Sequence, residues 1–195
     1  MKQLSLSLLL LLAVTSIVPA QNKWKVDKTH TMINFTVSHM VISEVTGSFN
    51  EFDATLENTK DDFSDAKINV AIKAKSIDTG TEGRDNHLRS ADFFNAAVDS
   101  IITFVSTKVE KTGADTYKIH GTLTMRGVSK EVILEAKNKG KIKGMRGMVT
   151  AFKASTTINR KDWGLNWNRS IEAGGLLVGE NVDLSILVEF VEAKS

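Results

Sequence analysis

The sequence predicts an all-β domain in which an antiparallel sheet closes into a barrel or folds into a sandwich. Three observations lead there. Apolar residues recur with period two in run after run, each run presenting one apolar face. Short glycine-bearing turns separate several of these runs. Repeated crossover helices, which a parallel sheet requires, are absent from the pattern. The chain has 195 residues, 42% of them hydrophobic and 25% charged, so it supports one domain or at most a small second one. Its 25 basic and 23 acidic side chains leave a net charge of +2, too little basic excess to suggest a nucleic-acid partner. With no cysteine, disulfides, thiolate metal sites, cysteine nucleophiles and a lipidated N-terminal cysteine are all excluded.

Residues 1–20 read as an address rather than as part of the fold. Lys2 supplies a basic start, an apolar run extends from Leu4 to Val18, and Val18-Pro19-Ala20 fits cleavage after Ala20. The competing reading is a membrane anchor. A spanning helix needs about 20 apolar residues, whereas this run is shorter and interrupted by Ser5, Ser7, Thr15 and Ser16. The sequence therefore predicts a signal peptide over 1–20 and a single domain over 22–195, exported to the periplasm, with secretion as the alternative. Pro19 is the only proline in the chain.

Thr31 to Met40 and Gly47 to Glu57 show the first, weaker alternations. Ala66 to Lys75 shows a clear one, placing Ile68, Val70 and Ile72 on one face. Ile101 to Val109 is weaker again. Tyr117, Ile119, Gly121, Leu123 and Met125 form one face against Lys118, His120, Thr122 and Thr124. Val128, Val132, Leu134 and Ala136 continue the pattern after Arg126-Gly127, a tight hairpin in which Gly127 supplies positive φ. Lys111 to Asp115 predicts a longer hairpin loop, and Lys139-Gly140-Lys141 with Gly144 predicts another. Met148 to Ile158, another weaker run, and the clear run Val182, Leu184, Ile186, Val188 and Phe190 complete about eight strands. Ser76 to Ser100 breaks the alternation and carries helix signals: Ser90 as a cap, Asp92 in a first turn, and Asp85 with Arg89 at i, i+4. A connection of this length inside a compact β domain is usually functional or a cover, and it could lie across one mouth of a barrel.

Catalytic chemistry is hard to find in this chain. None of His30, His39, His87 and His120 has zinc-site spacing, so no metal and no cofactor is expected. There is no GxSxG and no nucleotide-binding glycine pattern. His39 shares a face with Ile33, Phe35 and Val37, which fits either a hydrogen-bonded core histidine or a ligand-facing one. Trp163 and Trp167 could stack on a ligand or pack a loop against a barrel end. Lys137, Lys139, Lys141, Lys143 and Arg146 form a basic stretch around a hairpin. Such charge usually protects a sheet edge, with transient contact to an anionic membrane surface as a second use. A solid core and a hollow barrel would produce the same alternation.

The same residues resemble the YceI-like family of exported, lipocalin-like polyisoprenoid-binding proteins. The likeness begins at Trp24-Lys25-Val26-Asp27 and His30 and continues through Phe35, Val37, His39-Met40 and Val45-Thr46-Gly47-Ser48-Phe49. It is strongest in Ser76-Ile77-Asp78-Thr79-Gly80, Arg84-Asp85, His87-Leu88-Arg89-Ser90 and Asp92-Phe93-Phe94. It runs on through Ile102-Thr103-Phe104-Val105-Ser106, Gly121-x-Leu123-Thr124 with Gly127-Val128, and Asn159-Arg160-x-Asp162-Trp163-Gly164-Leu165. The chain departs from the family at Ser100, where proline is common, and at Trp163, where phenylalanine is usual. The resemblance implies an antiparallel lipocalin-like barrel of about eight strands, with a short helical insertion around 79–97 near one mouth. It further implies a non-enzymatic carrier or sequestering protein for a long-chain isoprenoid, isoprenoid quinone or other amphiphilic lipid, as a monomer or a homodimer. Apolar contacts would come from Phe35, Val37, Phe49, Ile68, Val70, Ile72, Phe94, Phe104, Leu123 and Trp163. His39, Asp85, His87 and Arg160 would meet the head group. An enzyme acting on such a lipid, with His39 and Asp85 as acid and base, and a structural domain without ligand are the alternatives.

Overall fold

A computed structural model describes residues 21–171 and 174–193; the predicted leader lies outside them. Eleven strand segments occupy eight positions around one closed antiparallel barrel. β1 (Asn22–Val26) and β2 (Met32–His39) share one position, because both pair with β11 (Val178–Glu192): Val26 opposite Phe190 and Ile33 opposite Ile186. β3 (Ser43–Phe49) and β4 (Phe52–Asn58) share the next, pairing with β2 and β1 respectively. β5 (Lys67–Lys73) and the two-residue β6 (Ile77–Asp78) fill the third. β7 (Ile101–Lys111), β8 (Thr116–Met125), β9 (Val128–Gly144), β10 (Gly147–Asn159) and β11 follow in order, and β11 closes the ring on β1. Closure leaves this part of the sheet without an open edge.

The single run predicted over Gly47 to Glu57 is interrupted at Asn50-Glu51, where the chain steps from one strand partner to the other. A matching break at residues 27–31 separates β1 from β2. There the Asp27 carboxylate accepts the Thr29 N–H at 2.9 Å in a tight local turn. The Arg126-Gly127 hairpin forms as expected, with φ of +50° and +69° at its two residues. The Lys139–Lys141 turn does not form. β9 continues straight through it, absorbing the extra residue as a bulge at Gly140 (φ +120°), and turns only at Met145-Arg146. The helix is also displaced from its predicted cap. α1 spans Glu82–Arg89 behind Thr81, and Ser90 ends it, donating its hydroxyl to the His87 carbonyl. Asp85 does not pair with Arg89, which donates instead to the Lys75 and Ile77 carbonyls.

The antiparallel topology gives the barrel two distinct ends. The helix end carries the β2–β3 turn, α1 with the rest of 79–100, the Arg126-Gly127 hairpin and the β10–β11 connection. The loop end carries the start of β1, the end of β11, the 59–66 loop and the β7–β8 and β9–β10 turns. Arg126 ties the helix end together by donating to the carbonyls of Phe93 and Gly164.

Candidate functional site

The inward face settles whether this barrel is solid or hollow. In a close-packed core, inward residues are almost fully covered by their neighbours. Here Ile68, Val70 and Ile72 of β5 point inward yet stay half-buried, as do Val132, Leu134, Leu184, Ile186 and Val188. The surface they expose is internal: an apolar cavity of about 150 Å3 lies along the barrel axis, within about 1140 Å3 of atom-free space that partly opens to solvent. Small inward side chains create this room. Ala54 stands opposite Val70, and Ala136 stands directly opposite Ala154. An eight-stranded barrel is just wide enough to be filled by side chains or to hold one small ligand, and alanine at these positions selects the second outcome.

Among the lining residues only Thr31 and Tyr117 carry polar side-chain atoms, and both are engaged. The Thr31 hydroxyl accepts the Glu189 N–H at 3.1 Å, and the Tyr117 hydroxyl donates to the Asp62 carbonyl at 2.9 Å. Burial raises the Tyr117 pKa above its usual value, which keeps the phenol neutral. The bore therefore offers apolar contact and no free polar group.

An aromatic cluster narrows each end. At the loop end Phe63, held at φ +57° and buried, lies 5.8 Å from Trp24 and 5.3 Å from Phe152 between ring centres. Its loop is pinned by Asp65 on the Thr59 and Lys60 amides and by Lys111 on Asp62. At the helix end Phe49 bridges Phe35 and Phe94 at 5.8 and 5.7 Å. Gly47, opposite Phe35, leaves the space this ring needs, since a Cβ there would sit 2.4 Å from the ring. Outside that cluster His87 packs edge-on against Trp167 and Phe93 at 4.7 and 5.1 Å.

Of the fourteen residues singled out from sequence, Ile68, Val70, Ile72, Phe104 and Leu123 line the cavity. Phe35, Phe49 and Phe94 form the helix-end cluster, and Val37 is half-buried on β2 beyond it. Trp163 is almost fully buried and donates its indole N–H to the Leu123 carbonyl at 3.0 Å. The four polar residues do not converge. His39 is half-exposed at the end of β2, with Nδ1 3.5 Å from the Ser43 hydroxyl. Asp85 is buried outside the bore and accepts the Thr79 N–H and hydroxyl at 2.9 and 2.5 Å. It lies on an open polar cleft of about 480 Å3 shared with Asp78, Glu82 and Arg89. His87 Nε2 meets Asp92 at 2.9 Å. The buried Arg160 guanidinium donates to the carbonyls of Gly179, Leu165 and Val178, and its burial lowers its pKa.

Sequence reasoning missed most of the lining. Leu56, Phe63, Phe152, Ile186 and Phe190 belong to it, and all but Phe63 sit on the inward parity of their strands. It also missed the grouping of Asp27, His30 and Glu189, whose ligand atoms lie within 4.8 Å of one another. Arg146 already occupies Asp27 Oδ2 at 2.7 Å, and its fixed positive charge opposes a cation there.

A closed eight-stranded antiparallel barrel with an apolar bore narrowed by aromatic rings at its ends defines the class of small barrels with an internal ligand-sized cavity. The sequence profile of the YceI-like domain matches residues 24–190, and the chain belongs to that family. A UPF0312 protein of Staphylococcus epidermidis is 36% identical over 170 residues, covering 86% of this chain and 96% of that protein. The crystal structure of the Campylobacter jejuni YCEI protein matches with a TM-score of 0.68 at 33% identity, over 81% of this chain and 90% of that one. A polyisoprenoid-binding domain from Saccharophagus degradans, implicated in plant cell wall breakdown, shares the fold with a TM-score of 0.64 at 17% identity, over 87% of this chain and 98% of that one.

Proposed function

We propose that this protein is a carrier or sequestering protein, exported to the periplasm, that holds the apolar tail of a long-chain amphiphile such as an isoprenoid lipid in the barrel. The observation that carries this reading is the half-exposed inward face around a cavity with no free polar group. Such a bore favours methylenes, at roughly 0.8 kcal/mol for each one buried. The polyisoprenoid-binding domain that shares the fold supports the choice of tail. Acid–base chemistry inside the bore lacks a titrating partner near neutral pH, because Tyr117 is the only titratable residue lining it among the described residues. That favours a carrier over an enzyme. A cavity of about 150 Å3 is one that a single benzene can occupy, so a longer tail extends beyond it, past the ring cluster at one end.

The test is native purification from the periplasmic fraction, followed by mass spectrometry of an organic extract. Wild type should yield a chain beginning at Gln21 and a stoichiometric lipid. Val70→Trp, which projects an indole into the bore, should stay folded and lose that lipid. Its stability should be compared with delipidated wild type, because bound ligand itself stabilises the fold. A loss smaller than the roughly 1–3 kcal/mol of overpacking is expected. Lipid-free wild type, or full retention of lipid in Val70→Trp, contradicts the reading.

A further inference from the structure

We infer that the tip of the β9–β10 hairpin is a docking finger for an anionic lipid bilayer. β9 pairs with β8 only as far as Lys137 opposite Thr116, so its last seven residues continue past the end of β8 paired with β10 alone. β10 stays paired with β11 as far as Val149 opposite Val191, so the free two-stranded tip is residues 143–148. At the tip Met145 is fully exposed and Ile142 is 68% exposed. Val149 lies opposite Ile142, which extends the apolar side of the finger. Residues 136–150 contain five cations, Lys137, Lys139, Lys141, Lys143 and Arg146, and no carboxylate. Lys141 and Arg146 anchor the finger to the barrel through Asp61 and Asp27 at 3.1 and 2.7 Å. Lys137, Lys139 and Lys143 are exposed and make no ion pair among the described residues.

Exposed apolar side chains ringed by unpaired lysines fit a bilayer interface. The methionine and isoleucine would enter the acyl boundary while the ammonium groups meet anionic head groups. Charge singles out this tip over its rival. The β2–β3 turn at the opposite end also exposes apolar residues, Val41 at 67% and Ile42 at 89%. Residues 31–50, however, contain no Lys or Arg and carry Glu44. The loop end would therefore face the membrane, with the helix end pointing away. This goes beyond the tail-binding reading and stands independently of it, since vesicle binding and extracted lipid are measured separately.

The absence of cysteine allows single labelling sites. In the chain from Gln21, which contains the whole closed barrel, Met145→Cys and Ile42→Cys each carry an environment-sensitive fluorophore. With phosphatidylglycerol–phosphatidylcholine vesicles the label at 145 should shift to the blue and the label at 42 should not. Pure phosphatidylcholine vesicles should bind at least about tenfold more weakly, as should the 145-labelled protein carrying Lys139→Glu and Lys143→Glu. Unlabelled wild type should sediment with the anionic vesicles, and the double variant Ile142→Asp, Met145→Asp should stay in the supernatant with an unchanged melting curve. The inference is overturned by an unresponsive 145 label, by a response at 42 instead, or by equal binding to both vesicle types. A shift at 145 that grows with protein concentration in the absence of vesicles would assign the tip to a second copy of the chain, and also overturns it.

Discussion

Asp27 shows how one carboxylate fixes a break in the barrel wall. Its hydrogen bonds from the Thr29 hydroxyl and amide, helped by His30, hold its pKa at about 2 against an ordinary 3.8. Because the folded-state value is the lower one, the stabilisation is fully present above pH 3.8 and is lost as pH falls through about 2. Asp27→Asn should therefore weaken the protein at neutral pH and flatten its loss of stability across that acid window. Denaturant midpoints from pH 7 to pH 2 test this, and parallel curves for the two proteins would refute it. Asp85 and Arg160 spend their charge in a comparable way, on backbone groups of their own surroundings rather than on the bore. Their partners were not legible from sequence. The Arg160 acceptors at Val178 and Gly179 lie 18 and 19 residues on, at the start of β11, and nothing local to Arg160 marks them.

Among the elements, strands were the most legible and end structures the least. Period-two alternation marks β5, β8 and β11 because their inward faces are uniformly apolar, whereas Thr150 and Thr156 on the inward face of β10 weaken its signal; Gly127 marks its turn because a left-handed residue is needed there. The bulge at Gly140 looks like a turn in the sequence because glycine serves both purposes and only the partner strand distinguishes them. Ser90 ends the helix instead of starting one because a serine hydroxyl can satisfy a carbonyl at a helix C-terminus as readily as an amide at an N-terminus. The 59–66 loop gave no periodic signal at all, yet Phe63 from that loop narrows one end of the bore. Phe63→Gly removes the ring while permitting its positive φ. Release of a bound fluorescent fatty acid should accelerate in this variant, with the barrel still folded. An unchanged release rate would place the route of exchange at the helix end.

At the scale of the whole molecule, alternation fixes an antiparallel sheet with one apolar face but is silent on whether it closes and on what fills it; the pairing of β11 with β1 closes it. The signal that distinguishes hollow from solid was present in the sequence as alanine at inward positions 54, 136 and 154. It becomes interpretable only once the register sets Ala136 against Ala154. Hollow barrels of this width take their ligands by length as well as by shape, because each further methylene drawn into an apolar bore adds a similar increment. The most direct measurement is a titration of delipidated protein with saturated fatty acids of increasing chain length, each below its micelle concentration. Kd should fall by about fourfold per added methylene, equivalent to roughly 0.8 kcal/mol, until the tail outgrows the bore, and Val70→Trp should abolish that slope. Affinity independent of chain length, or a slope unchanged in Val70→Trp, would contradict a tail held inside the barrel.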